Sequence, residues 1–378
     1  MRICSIITSF TSGGAEMLVC NLAEAFAAAG HGATVIALSD AAQVGNAPDT
    51  EQAMTARLRQ GGAKALSLGL ANRNNWLSGA RALRRALRSI RPDVIHAHSA
   101  RALFPLALAS PGVPIVLTHH NSRLSFPPAA FVLFNRIVDG YVAISDQCEA
   151  LLRNHAQRPV RMILNAASTR FLAGQPRSAV ARDPMILAVG TVSEQKDYPT
   201  LLRAARPLTD ALAARGRAAR LCIAGGGPQF DQLRTLAANA PVELLGARHD
   251  VDALMRQADL FVNCSLWEGF PIAMIEAAMS GLPIVATAVA GNREMVTPGI
   301  NGRLVPPSDP AALAQAIVET LSDDAHYAML SQGALRAARR FSIESCAAAH
   351  LSLYQELMTD GPARFPAPSP FRPVSPCE

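Results

Sequence analysis

The sequence predicts an α/β protein built from two Rossmann-like halves. Three observations carry this. Apolar runs of strand length alternate with helical stripes along most of the chain, as in parallel βα units. The order strand, glycine loop, helix, strand opens the chain at residues 3–7 with Gly13-Gly14, and it recurs at residues 185–189 with Gly190. A chain of 378 residues, 50% of them apolar, is long enough for two cores.

Composition bounds the function. The net charge is +6, carried by arginine apart from Lys64 and Lys196, which suits phosphorylated partners or an anionic membrane surface. No basic-aromatic array or zinc-finger spacing points to nucleic acid. The seven cysteines are scattered without a Cys-x-x-Cys, so neither a zinc site nor a disulfide framework is indicated and a reducing compartment fits. The N-terminus goes straight from a short apolar run into a Gly-Gly turn, unlike a signal peptide. The richest apolar window, 102–117, is broken by Pro105, Pro111, Gly112 and Pro114, so no spanning helix is expected. The expectation is a cytoplasmic protein, at most peripheral on the inner face of a membrane.

In the first half, residues 3–7 read as a buried strand. Gly13-Gly14 lets backbone approach a ligand, and the helix behind it, through Leu18, Leu22 and Phe26, offers its N-terminus to phosphate. A tight turn alone is the plainer alternative. No Gly-x-Gly-x-x-Gly follows the strand, which disfavours a dinucleotide oxidoreductase. Residues 40–75 are poorly patterned and read as loop, strand and connection. Leu77, Ala80, Leu83, Leu87 and Ile90 form a helical stripe with Arg81, Arg84, Arg85 and Arg88 off it. That is first a crossover helix with solvated arginines, and second a surface for an anionic membrane. Strands at 93–99 and 114–121 end in His98, His119 and His120, where imidazole can hydrogen-bond or shuttle a proton. No carboxylate or cysteine completes a metal set there. Residues 166–184 read as a linker.

In the second half, Gly190 ends a strand before Thr191 and Lys196, a flexible point charge suited to phosphate. Gly225-Gly226-Gly227 follows another strand. Asp250-Val251-Asp252 reads as a helix cap rather than a metal motif, and Asn301-Gly302 as a hairpin-type turn. Between them lies residues 263–283, Asn-Cys-Ser-Leu-Trp-Glu-Gly-Phe-Pro-Ile-Ala-Met-Ile-Glu-Ala-Ala-Met-Ser-Gly-Leu-Pro. Glu268 falls in the loop leaving a strand and Glu276 in the following helix, which Gly281 ends. Ligands of open α/β sheets bind at that edge, and ionised carboxylates there can grip several hydroxyls. The last 18 residues, 361–378, are proline-rich and read as a disordered tail.

The string around Glu268 and Glu276, with Gly-Phe-Pro after the first and Gly-Leu-Pro after the helix, resembles the paired-glutamate motif of retaining glycosyltransferases of family 4. The likeness extends to Gly-Gly-Ala-Glu at 13–16, Thr-x-His at 118–120 and Lys196. It implies the GT-B fold, two Rossmann-like domains facing across a cleft. The implied layout is an acceptor domain over 1–165, linker 166–184, nucleotide-sugar domain 185–340 and a helix at 341–360 crossing back. The implied reaction is metal-independent transfer of a sugar from a UDP- or GDP-sugar to a hydroxyl, with retention and without a cofactor. The implied setting is cell-envelope polysaccharide or lipid-linked oligosaccharide synthesis, with a sugar or lipid-linked acceptor. By the same resemblance His120, Glu268 and Lys196 are the catalytic residues. Gly13, Gly14, Thr191, Lys196, Glu268, Gly269, Phe270, Pro271 and Glu276 face the donor, with Glu276 on the ribose. His119 is the alternative to His120 if the register slips. Two departures are plain: Thr191 stands where the family has arginine, and Ala166 where it has glycine. A nucleotide-sugar 2-epimerase of the same fold and a non-catalytic nucleotide-sugar-binding protein remain as alternatives.

Overall fold

The computed structural model describes residues 1–11, 13–44, 48–70, 76–172 and 175–359. The expected proline-rich tail and Gly174 of the expected linker lie outside them. Seven strands form one parallel sheet: β1 (Arg2–Ile7), β2 (Gly32–Ala37), β3 (Lys64–Ser67), β4 (Val94–Ala97), β5 (Ile115–His119), β6 (Gly140–Ala143) and β7 (Val160–Met162), in the order 3-2-1-4-5-6-7. Six more form a second: β8 (Met185–Val189), β9 (Arg220–Ala224), β10 (Val242–Gly246), β11 (Leu260–Asn263), β12 (Ile284–Thr287) and β13 (Gly302–Val305), in the order 10-9-8-11-12-13. Two parallel-sheet α/β units make the GT-B architecture. Strands buried on both faces explain why they read as continuous apolar runs. Each sheet reverses its winding beside its first strand, between β1 and β4 and between β8 and β11. Crevices open at the carboxyl ends of strands at such reversals.

Helices cover both sheets. Helix Gly14–Ala28 buries Leu18, Val19, Leu22 and Phe26 against the first. Helix Ile343–Thr359 returns from the second sheet to pack on it, burying Cys346, His350, Leu353 and Tyr354. The halves also touch through Asn165 Nδ2, which donates to the Phe270 carbonyl at 2.8 Å, and the backbone N–H of Asp146, which donates to the Glu294 carboxylate at 3.2 Å.

Three local readings change. Residues 40–75 hold a full helix, Pro48–Gln60, before β3. Asn301-Gly302 is no hairpin turn, because Gly302 opens β13, which runs parallel to β12. Glycine is needed there because a Cβ would strike the Ile284 carbonyl. Asp250 stands at the start of helix Val251–Gln257 but turns its carboxylate to Arg248, at 2.6 and 2.8 Å, instead of capping the helix.

Candidate active site

A cavity of about 320 Å³ lies between the carboxyl edges of the two sheets. Its second-half wall comes from the exits of β8, β9 and β10 and from Pro271 to Glu276. Its first-half wall comes from Gly14, Met17 and one face of helix Pro48–Gln60, with Arg170 from the connection between the halves.

Two helix N-termini meet here. Helix Gly14–Ala28 begins at Gly14, and helix Ile272–Met279 begins beyond Pro271. A Cβ on Gly14 would stand 3.9 Å from the Ile272 side chain, so the two ends are neighbours. Free backbone N–H groups and aligned dipoles favour an anion at such a place. Gly13 is the residue before the first helix, beside the Glu16 carboxylate. Burial pushes the Glu16 carboxyl up to about 7.

Lys196 lines the cavity and is placed by a short turn, Glu194–Lys196, after which Asp197 takes a left-handed φ of 44° to enter helix Tyr198–Ala213. Gly190 makes room for it, since a Cβ there would lie 2.9 Å from Lys196 Cε. The Lys196 ammonium donates to Glu268 Oε1 at 2.5 Å. Glu268 is buried, and it also accepts from Ser265 Oγ at 2.6 Å, Asn263 Nδ2 at 3.3 Å and Gln195 Nε2 at 3.2 Å. Glu268 therefore stands behind Lys196 with its oxygens occupied by protein donors.

Glu276 is the opposite case. It lines the cavity, and no hydrogen bond to its carboxylate is formed among the described residues. Burial pushes its carboxyl up to about 7, with Arg170 and Arg57 pulling it down and Asp252 raising it further. An acceptor of two hydrogen bonds thus waits in the cavity wall.

Thr191 also lines the cavity, exposed and uncharged. Gly269 and Phe270 belong to the joint between the halves rather than to the cavity wall. A Cβ on Gly269 would lie 2.7 Å from the His120 carbonyl, and the Phe270 ring packs edge-on to Phe341 at 5.3 Å. Beside this joint, Arg123 of the first half lies 4.4 Å over the Trp267 ring of the second.

His120, half-buried, ends a stack that continues into buried His98 and His96. Its Nε2 meets His98 Nδ1 at 3.0 Å, and His96 bridges Thr118 Oγ1 and Tyr354 Oη, both at 2.6 Å. His119 points elsewhere, with Nε2 donating to the Arg123 carbonyl at 3.2 Å. Burial, with the neighbouring imidazoles adding, lowers His120 to about 3 and holds His96 and His98 well below the usual range. His120 is therefore neutral, a hydrogen-bonding group rather than a cation. Among the described residues no three His, Cys, Asp or Glu side chains gather as a metal-binding group.

Sequence reading missed the wall contributed by helix Pro48–Gln60 and Arg170. The signal was present in Thr50, Ala53, Met54 and Arg57, which share one helical face, but only Met54 of these is apolar enough to mark a stripe.

With this geometry in hand, comparison with known proteins is decisive. Residues 183–323 match the family model described as glycosyl transferases group 1, and residues 12–171 match that described as glycosyltransferase family 4. A D-inositol 3-phosphate glycosyltransferase from Catenulispora acidiphila is 30% identical, over 72% of this chain and 74% of that protein. The chain belongs to the group 1, family 4 glycosyltransferases. A second relative, the phosphatidyl-myo-inositol mannosyltransferase of Mycobacterium leprae, is 29% identical over 71% of this chain and 75% of its own length. The chain spans only 31% of the length of another relative, the exopolysaccharide phosphotransferase SCO2592 of Streptomyces coelicolor, to which it is 27% identical over 75% of this chain. The crystal structure of Anabaena Alr3699/HepE in complex with UDP-glucose superposes with a TM-score of 0.76 at 22% identity, over 94% of this chain and 100% of that one. That likeness concerns the fold. No helix among the described residues of this family 4 chain is long and apolar enough to cross a membrane.

Proposed function

We propose that this family 4 protein moves a sugar from a nucleoside diphosphate sugar to a hydroxyl acceptor with retention at the anomeric carbon. The observation that carries the reading is that one cavity holds both a carboxylate acceptor and a set of cationic and N–H donors. Glu276, an acceptor without a protein donor among the described residues, stands in the same cavity as Lys196 and two converging helix N-termini. A nucleotide sugar has the matching groups, with ribose hydroxyls for the carboxylate and a diphosphate for the cations and N–H groups.

In this reading the bond from the anomeric carbon to the diphosphate oxygen breaks, and the acceptor oxygen bonds to that carbon on the same face. The acceptor's proton passes to the departing phosphate. Charge grows on the diphosphate, so Lys196 and the Gly14 and Ile272 helix ends lower the barrier. Glu268 holds the Lys196 ammonium in place, and no step uses a metal. Neutral His120 stands near the joint as a hydrogen-bonding partner for the sugar.

The relatives support the substrate class. One is named a mannosyltransferase of phosphatidyl-myo-inositol, and a protein of like fold was crystallised with UDP-glucose. A UDP- or GDP-sugar donor and a lipid-linked or glycan acceptor of the cell envelope follow as the proposal. The exposed Leu77 and the exposed Arg81, Arg85 and Arg88 of helix Trp76–Ile90 support peripheral contact with an anionic membrane.

Uncharged Thr191 in the cavity favours one second reading, nucleotide-sugar binding without turnover. A panel of UDP- and GDP-sugars, with and without membrane lipid extract, read by mass spectrometry, separates the two. Acceptor-dependent release of nucleoside diphosphate, lost in Glu276→Ala and Lys196→Ala, supports the transferase. Binding without release in every combination supports the second reading, and release of free sugar alone points to an epimerase.

A further inference from the structure

The nucleotide-facing wall of the cavity has an unexpected member from the opposite half. Thr50, Ala53, Met54 and Arg57 recur at intervals of three and four residues, so helix Pro48–Gln60 presents one face to the cavity. That face lines the same cavity as Glu276 and as the Ala247–His249 loop after β10.

Arg57 is fixed before any ligand arrives. Its Nη2 donates to Asn21 Oδ1 at 2.6 Å and to Glu24 Oε2 at 2.7 Å. Its Nη1 is buried and meets no acceptor among the described residues. A guanidinium can only donate and keeps its proton, so rotation or titration does not relieve this. Because Asn21 turns its oxygen to the guanidinium, its Nδ2 is also left buried without an acceptor among the described residues. Arg57 lines the cavity, so its unanswered Nη1 calls for a ligand oxygen. Charge agrees. Arg57 lines the same cavity as Glu276 and its charge pulls the Glu276 carboxyl down. The second half meanwhile offers uncharged Thr191 at its own glycine loop.

We infer that Arg57 is a nucleotide-binding residue supplied by the first half, its Nη1 donating to a phosphate oxygen of the donor while Thr50, Ala53 and Met54 close over the nucleoside. The inference rests on the nucleotide-sugar reading above. The donor is then held by both halves at once, and the first half does more than carry the acceptor.

The test is calorimetric titration of the full chain with UDP and with GDP. Arg57→Gln is expected to weaken the bound nucleotide roughly ten-fold or more, as for loss of a charged hydrogen bond. Arg57→Lys, which keeps the charge and loses the fork, is expected to fall between the two. Ala53→Trp provides a second arm, since Ala53 is exposed and its enlargement leaves the Arg57–Glu24 ion pair intact; it is expected to block nucleotide binding while the unliganded protein melts as before. Glu24→Gln separates structure from binding. If Arg57 serves only its ion pair, Arg57→Gln and Glu24→Gln lower the melting temperature alike, and neither changes nucleotide affinity. That result, or wild-type affinity in Ala53→Trp, overturns the inference. Failure of the wild type to bind either nucleotide overturns the nucleotide-sugar reading itself. Binding that Glu276→Ala abolishes and Arg57→Gln leaves intact overturns the inference alone.

Discussion

Lys196 and Glu268 hold each other at 2.5 Å across 72 residues of sequence, with Lys196 facing the cavity and Glu268 buried behind it. Three further donors hold the Glu268 carboxylate in place, so the pair positions the Lys196 ammonium. Lys196→Ala strands a buried carboxylate and is expected to cost about 3–5 kcal/mol in urea unfolding. Lys196→Met with Glu268→Gln removes both charges and is expected to recover most of that stability, but not sugar transfer. Full stability in Lys196→Ala would show that the pair carries no such strain.

Glu276 gives a pH dependence with a definite sign. Its carboxyl sits at about 7 in the ligand-free protein, against 4.5 ordinarily. The ionised form is the better acceptor for hydroxyls, so nucleotide affinity rises with pH and levels off above about 7. At pH 6 affinity is expected to be about tenfold below the plateau. Titration calorimetry at pH 6, 7 and 8 checks this, and Glu276→Gln should remove the step. Without ligand the same shift acts on stability. Between pH 4.5 and about 7 the native state holds a proton that the unfolded chain has lost, so this group's contribution falls as pH rises.

The histidine stack predicts the opposite slope. His120 lies at about 3 and His350 at about 4, against 6.5 in the unfolded chain, with His96 and His98 also low. Below pH 6.5 the unfolded state binds protons that the native state refuses. Stability from these groups is whole above 6.5 and drains away as the pH falls towards their native values. Each contributes up to about 1.4 kcal/mol per pH unit. Urea midpoints between pH 7 and pH 5 should fall more steeply in the wild type than in His350→Gln. Equal slopes would sink the assignment.

Gly269→Ala tests the joint. The added Cβ would lie 2.7 Å from the His120 carbonyl and 3.1 Å from Asn121 Cα, both backbone atoms. The halves must part to admit it. A drop in kcat of at least about tenfold is expected, on the grounds that small displacements at a reacting centre are costly. The melting temperature should change little. Wild-type kcat would show that the contact plays no part in closure.

The strands and the glycine exits were legible because buried parallel strands leave continuous apolar runs bounded by glycine. The Glu268–Glu276 loop was legible for the same local reason. Helix Pro48–Gln60 was not, since it buries little beyond Thr50, Met54 and Leu58 beneath a polar, charged surface. Pairings across the fold were hidden too. Nothing near Glu268 in sequence announces Lys196, and nothing near Arg57 announces Asn21 and Glu24. Asn301-Gly302 misled because the dipeptide suits a hairpin, whereas its glycine answers the close approach of Ile284.

The hydrogen bond from His96 to Tyr354 spans 258 residues. During synthesis the first sheet emerges from the ribosome long before the helix that seals it. Thr118 can reach His96 early, but Tyr354 and His350 reach that wall only after the entire second sheet has been made. The half made first is thus the half finished last. A nascent chain halted before residue 343 would leave this histidine wall and the face of helix Gly14–Ala28 open to water and to chaperones.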